Sequence, residues 1–156
     1  MAKIKVPFAG GCACGAIRYD CSAEPVRMVQ CHCRDCQRFT GAAFVAAVIV
    51  PIESVKLLQG APRFFRTQSS RGGNVHRGFC ADCGSPVVSK FDANPQLCGI
   101  HAASLDDPSW FQPAWDMWTC DAQPWDFMNP ALPKHDKYPV PPKPVSWPSQ
   151  KEEEEE

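Results

Sequence analysis

The sequence has no long hydrophobic run. Its longest apolar stretch, Ala42 to Ile52, is too short to span a bilayer and meets a proline at Pro51. The N-terminus, Met1-Ala-Lys-Ile-Lys-Val-Pro7, carries two lysines but no apolar segment behind them, which excludes a secretory signal there. An excess of either charge is also missing. Sixteen basic residues face seventeen acidic ones, for a net charge of −1 and a pI near 6.4, so no nucleic-acid or anionic-membrane surface is expected. No internal repeat is visible, and sixteen prolines with ten glycines leave little room for long helices. These absences predict a cytoplasmic protein with no membrane partner and no nucleic-acid partner.

What remains reads as short strands. Alternation of apolar and polar residues predicts strands at Ala16–Cys21, Met28–Gln30, Ala43–Val50, Ser54–Leu58, Arg63–Thr67, Asn74–Phe79, Pro86–Phe91 and Leu97–Ala103. Gly60-Ala61-Pro62 has the length and residues of a hairpin turn between the fourth and fifth of these. Gln37 to Gly41 is polar and turn-like. Composition shifts after residue 130 toward proline and then to Lys151-Glu-Glu-Glu-Glu-Glu156. The expected division is one domain over residues 3–130 and a disordered tail over 131–156.

Ten cysteines are the richest feature, and seven fall in three tight groups: Cys12-Ala-Cys14, Cys31-His-Cys33-Arg-Asp-Cys36 and Cys80-Ala-Asp-Cys83. Without an export signal, such spacing points to metal-bound thiolates rather than disulfides. Residues i and i+2 of an extended segment point the same way, so Cys12 and Cys14 can chelate one ion. Cys80 and Cys83, followed by Gly84, form a knuckle. Together these four make a closed tetrahedral zinc site. The middle group aims three sulfurs, Cys31, Cys33 and Cys36, at a second zinc and leaves one position open, as zinc sites that do chemistry do. A second pairing, Cys33/Cys36 with Cys80/Cys83, also suits a zinc ribbon but leaves Cys12, Cys14 and Cys31 unused.

His32, between two ligands, should point away from that ion, and nothing in the sequence assigns His76 or His101 as a ligand. Cys21, Cys98 and Cys120 have no partner at ligand spacing and read as small buried hydrophobes. Arg34 and Arg38 flank the middle group and suit a substrate carboxylate or a solvated loop. Arg63, Arg66, Arg71, His76 and Arg77 form a local basic patch. Trp110, Trp115, Trp118 and Trp125 suit core packing or a pocket wall.

Gly11-Cys-Ala-Cys-Gly-Ala-Ile-Arg-Tyr19, Cys31-His-Cys-Arg-Asp-Cys-Gln-Arg-Phe-Thr-Gly41, Phe79-Cys-Ala-Asp-Cys-Gly-Ser-Pro86 and Ser104-Leu-Asp-Asp-Pro108 together resemble the glutathione-dependent formaldehyde-activating enzyme and centromere protein V family, over roughly residues 8–130. The resemblance implies a mainly β, β-tent-like fold of small coiled antiparallel sheets around zinc, with few short helices. It implies two zincs per chain, a structural one on Cys12, Cys14, Cys80 and Cys83 and an open one on Cys31, Cys33 and Cys36. It also implies a carbon–sulfur lyase joining formaldehyde to glutathione as S-hydroxymethylglutathione. No side chain is singled out as catalytic; the chemistry is placed at the second zinc. Two departures stand out: Asp116-Met-Trp118 replaces a His-Ile-aromatic segment, and Gln37 stands where many members have arginine. The competing reading is a non-catalytic zinc module that binds a protein partner and completes the second site with a fourth side chain.

Overall fold

The computed structural model describes residues 4–139, and strands dominate it. In chain order they are β1 (Phe8–Gly11), β2 (Arg18–Cys21), β3 (Arg27–Cys31), β4 (Val45–Pro51), β5 (Val55–Gln59), β6 (Arg63–Gln68), β7 (Asn74–Phe79), β8 (Pro86–Phe91), β9 (Leu97–His101), β10 (Asp116–Met117) and β11 (Lys134–His135). Among the described residues the single α-helix, α1 (Arg34–Thr40), follows shortly after β3. The fold is mainly β, as expected.

The strands make two sheets. One has the order β1-β2-β5 and the other β11-β10-β3-β4-β9-β8-β7-β6. The larger sheet is antiparallel except at one edge, where β10 runs parallel to both β3 and β11. Register gives it two chemically different faces, because side chains alternate along every strand. Met28, Val48, Val50, Val88, Cys98 and Ile100 point toward the three-stranded sheet and pack with Phe8, Tyr19 and Cys21. Val48, Val50 and Ile100 are fully buried there, each contributing about 1.5–3 kcal/mol of apolar transfer. The opposite face carries Arg27, Val29 and Cys31 of β3, Val45, Ala47 and Ile49 of β4, Leu97, Gly99 and His101 of β9, Ser89 and Phe91 of β8, and Val75 and Arg77 of β7. All of these line one cavity.

Gly10 lets the sheets approach. A Cβ there would lie 2.3 Å from the Tyr19 hydroxyl and 2.4 Å from the Ser104 carbonyl oxygen. That space lets the buried Tyr19 hydroxyl reach Ser104 Oγ at 2.6 Å.

Three sequence expectations need correction. Gln37–Gly41 belongs not to a turn but to α1 and its cap, where Gly41 takes φ 68° and its N–H donates to the Gln37 carbonyl. Gly60-Ala61-Pro62 does not make a hairpin, because β5 pairs with β2 in the small sheet while β6 pairs with β7 in the large one. The boundary at residue 130 falls too early. Lys134–His135 adds to the sheet beside β10, and the Lys134 ammonium donates to Asp116 Oδ2 at 2.8 Å. Residues 140–156, which include the acidic run, lie outside the described residues.

The large sheet curls until its two ends meet. β6 and β11 are the outermost strands in the order, yet Arg71 in the β6–β7 turn stacks on Tyr138, three residues past β11, with Cζ 3.6 Å from the ring centroid. The cavity is the inside of that curl.

Candidate metal centres

The first cysteine group sits where β1 ends. The chain turns back toward β2, with the Gly15 N–H donating to the Cys12 carbonyl at 3.2 Å and φ 81° at Gly15. Cys80 and Cys83 occupy the knuckle between β7 and β8, where the Gly84 N–H closes the turn on the Cys80 carbonyl at 2.8 Å with φ 76°, a conformation glycine adopts without cost. The four sulfurs come together. Cys12 Sγ lies 3.6 Å from Cys14 Sγ, and Cys14 Sγ lies 3.8 Å from Cys80 Sγ. A tetrahedral ion with metal–sulfur bonds of about 2.3 Å requires sulfurs about 3.8 Å apart. The donors are also prepared for negative charge: the Ile17 N–H donates to Cys12 Sγ at 3.2 Å. Contact with the Ser85 hydroxyl and backbone pulls the Cys83 thiol down to about 5. Four soft donors at this spacing can hold a metal ion of the zinc type.

The second group is built by the β3–α1 junction. Cys31 ends β3 and Cys33 caps the helix, its Sγ accepting the Cys36 N–H at 3.4 Å; Cys36 lies in the first turn. All three sulfurs fall within 4.8 Å of one another, and among the described residues no other Cys, His, Asp or Glu joins them. Hydrogen bonds from Cys31 and then Cys36 hold the Cys33 thiol well below the usual range, while the bonds to Cys33 and Cys36 push Cys31 above it. The neighbouring thiols push Cys36 up as well, so binding of a cation would be accompanied by proton release; this set too can hold a metal ion.

The three sulfurs form one end of a cavity of about 940 Å³. Arg77 is buried against them, with Nη1 3.5 Å from Cys36 Sγ and Nε donating to Thr67 Oγ1 at 3.0 Å. Reading the sequence placed Arg77 in a surface basic patch. On β7, however, it shares the cavity face with Val75, and the alternation of that strand was the available signal. His101 is likewise buried on this face. Burial, and then the charge of Arg77, lowers its pKa to about 4, so the ring is neutral at pH 7.

His32 points away from the sulfurs, as expected, into a buried charge network. Its Nε2 lies 2.8 Å from Asp116 Oδ1 and its Nδ1 2.6 Å from Asp126 Oδ2. Each ring nitrogen is thus within hydrogen-bond reach of a buried carboxylate. Gln37 braces the same region by donating to the His32 carbonyl at 2.6 Å and the Asp121 carbonyl at 2.9 Å. Asp116 and Gln37 thus hold the frame of the second cluster.

Other candidates scatter. Arg34 lines the cavity, whereas Arg38 is exposed and does not. His76 pairs with Asp92 at 2.7 Å, away from both clusters. Cys21 and Cys98 are buried as expected, but Cys120 is exposed. Trp110 is in the core against Phe8, Trp115 and Trp118 wall the cavity, and Trp125 is 69% exposed.

The chain is similar to known proteins both in sequence and in fold. The model of the glutathione-dependent formaldehyde-activating enzyme family matches residues 7–121. The crystal structure of a protein from Rhodobacter sphaeroides is similar in fold, with 23% identity and a TM-score of 0.50, covering 64% of this chain and 88% of that one. No helix among the described residues is long and apolar enough to cross a membrane.

Proposed function

Because the chain belongs to the glutathione-dependent formaldehyde-activating enzyme family, we propose that it is a zinc enzyme of the carbon–sulfur lyase class that joins a thiol such as glutathione to formaldehyde. The observation that carries this reading is the three-sulfur cluster opening into the cavity without a fourth side chain. The reaction forms one S–C bond; the thiol proton ends on the former carbonyl oxygen, giving S-hydroxymethylglutathione. Two zincs per chain divide the roles: Cys12, Cys14, Cys80 and Cys83 hold a structural ion, and Cys31, Cys33 and Cys36 hold the one at the reaction centre. A zinc held by Cys31, Cys33 and Cys36 would supply the Lewis acidity that lowers a bound thiol's pKa toward neutrality.

The chain's own residues supply the rest. Arg77 lies against Cys36 and offsets the negative charge that three thiolates accumulate, so a further anionic sulfur is tolerated. His101 is neutral and half of a polar pair with Ser89 at 3.4 Å, so it adds no second cation beside Arg77. Val29, Val45 and Ala47 line the reacting end with apolar surface, which strengthens the charges acting there. Thiols and aldehydes combine readily, so holding both in one cavity is most of what catalysis requires.

Exchange NMR of a glutathione–formaldehyde mixture tests the reading. The zinc-loaded protein accelerates exchange between free and adduct forms; an unchanged rate removes formaldehyde as the substrate. The alternative of a protein-binding zinc module requires a fourth protein ligand on the second cluster, and the described residues offer none.

A further inference from the structure

The cavity has a second charged end. Arg27 begins the cavity face of β3 four residues before Cys31, about 13 Å of strand away. Arg71 reaches the same region from the β6–β7 turn, across the seam where the curled sheet closes. Both guanidiniums line the cavity. Neither takes part in an ion pair among the described residues, where the arginine pairing with a carboxylate is Arg18. The two feel one another: burial, and then the charge of Arg71, pulls the Arg27 pKa below its ordinary value.

Aromatic rings hold this pair in place. Arg27 lies over Trp115 at 6.0 Å and Arg71 over Tyr138 at 3.6 Å, while Tyr138 is steadied edge-on by Trp118 at 5.5 Å. A guanidinium stacked by its face keeps its N–H edge free for a planar acceptor. Beside them, Trp115 Nε1 is a buried donor with no hydrogen-bond partner. Arg27 is half-buried and Arg71 exposed, so the one buried group left unsatisfied is the Trp115 donor, and an anion placed here would meet two cations and that donor.

We propose that Arg27 and Arg71 form a clamp at the seam of the cavity for a carboxylate of the thiol substrate. The identification of a thiol rests on the function proposed above. With the sulfur at the cysteine cluster, the carboxylate lies on the order of 10 Å away, two to three residue lengths of extended chain. That spacing fits a di- or tripeptide thiol and excludes cysteamine-like thiols, which carry no acid.

Binding and turnover, measured separately, test the clamp. S-methylglutathione keeps both carboxylates but has no free thiol, so calorimetric titration of the zinc-loaded full chain reads the clamp without chemistry. Arg71→Gln, in an exposed turn, weakens its binding about tenfold or more, and Arg27→Gln does the same. The diethyl ester of S-methylglutathione binds wild type and both variants equally weakly. Equal affinity of wild type and Arg71→Gln for the diacid overturns the clamp, and so does an equal loss for diacid and ester. In turnover, Arg71→Gln raises KM for glutathione with little change in kcat and leaves KM for its ester unaltered. If wild type turns over neither thiol yet Arg71→Gln still loses the diacid, the lyase reading fails and the clamp stands.

Discussion

Arg77 Nη1 lies 3.5 Å from Cys36 Sγ, so a permanent cation is buried against a cluster whose working form is anionic. Burial opposes the arginine's charge, and the charge on Cys36 more than restores it, raising the Arg77 pKa. Arginine and cluster therefore depend on each other. Partners of this kind outside the ligand set tune metal affinity as strongly as many ligands do.

Replacing Arg77 with leucine removes the cation and one N–H donor but leaves every sulfur in place. Affinity at Cys31/Cys33/Cys36 falls about 10–100-fold in a chelator competition, while the four-cysteine site is unaffected. Arg77→Lys recovers part of the loss, because a point charge replaces the fork that also reaches Thr67.

Asp116 is fully buried and accepts from both His32 and Lys134. Asp116→Ala strands two donors and destabilises the fold by about 3–5 kcal/mol, read as a lower urea midpoint. Asp116→Asn keeps the shape and one acceptor and loses less. Equal midpoints for wild type and Asp116→Ala contradict the network.

Much of the fold was legible because its signals are local. Alternation located the eight longer expected strands to within a few residues, and Cys-x-Cys and Cys-x-x-Cys spacing marked the two clusters. What sequence reading missed depends on contacts far apart in the chain. α1 is only seven residues long and is capped by a cysteine, so it carries neither a helical stripe nor a Ser, Thr, Asp or Asn start signal. Lys134 joins the sheet through Asp116, eighteen residues away. Arg71 reads as an ordinary loop cation until the curl of the sheet brings Tyr138 beneath it.

His101 gives a pH signature. Its folded pKa, about 4, is depressed from the ordinary 6.5 by burial and by Arg77. Between these values the unfolded chain binds the proton and the folded chain does not, so stability falls as pH drops through the window from 6.5 to 4. The contribution is on the order of 3 kcal/mol. Acid also releases metal, so the comparison is with His101→Gln, which shares that loss but has a shallower pH dependence of the unfolding midpoint. Parallel curves would show that His101 is not held neutral.

Gly10 has no room for a side chain against Tyr19 and the Ser104 carbonyl. Gly10→Ala forces the two sheets apart and lowers stability by about 1–3 kcal/mol in denaturant unfolding, with the Cys31/Cys33/Cys36 site retained.

The central claim is a division of seven cysteines into a closed set of four and an open set of three. Zinc content per folded chain, measured alongside free-thiol titration, tests it most directly. Wild type is expected to hold two zincs per chain. Cys33→Ala loses one and keeps Cys12, Cys14, Cys80 and Cys83 protected, and both are lost when Cys80 is also replaced. A single zinc in wild type, or a Cys33→Ala protein in which Cys80 and Cys83 become reactive, would contradict it.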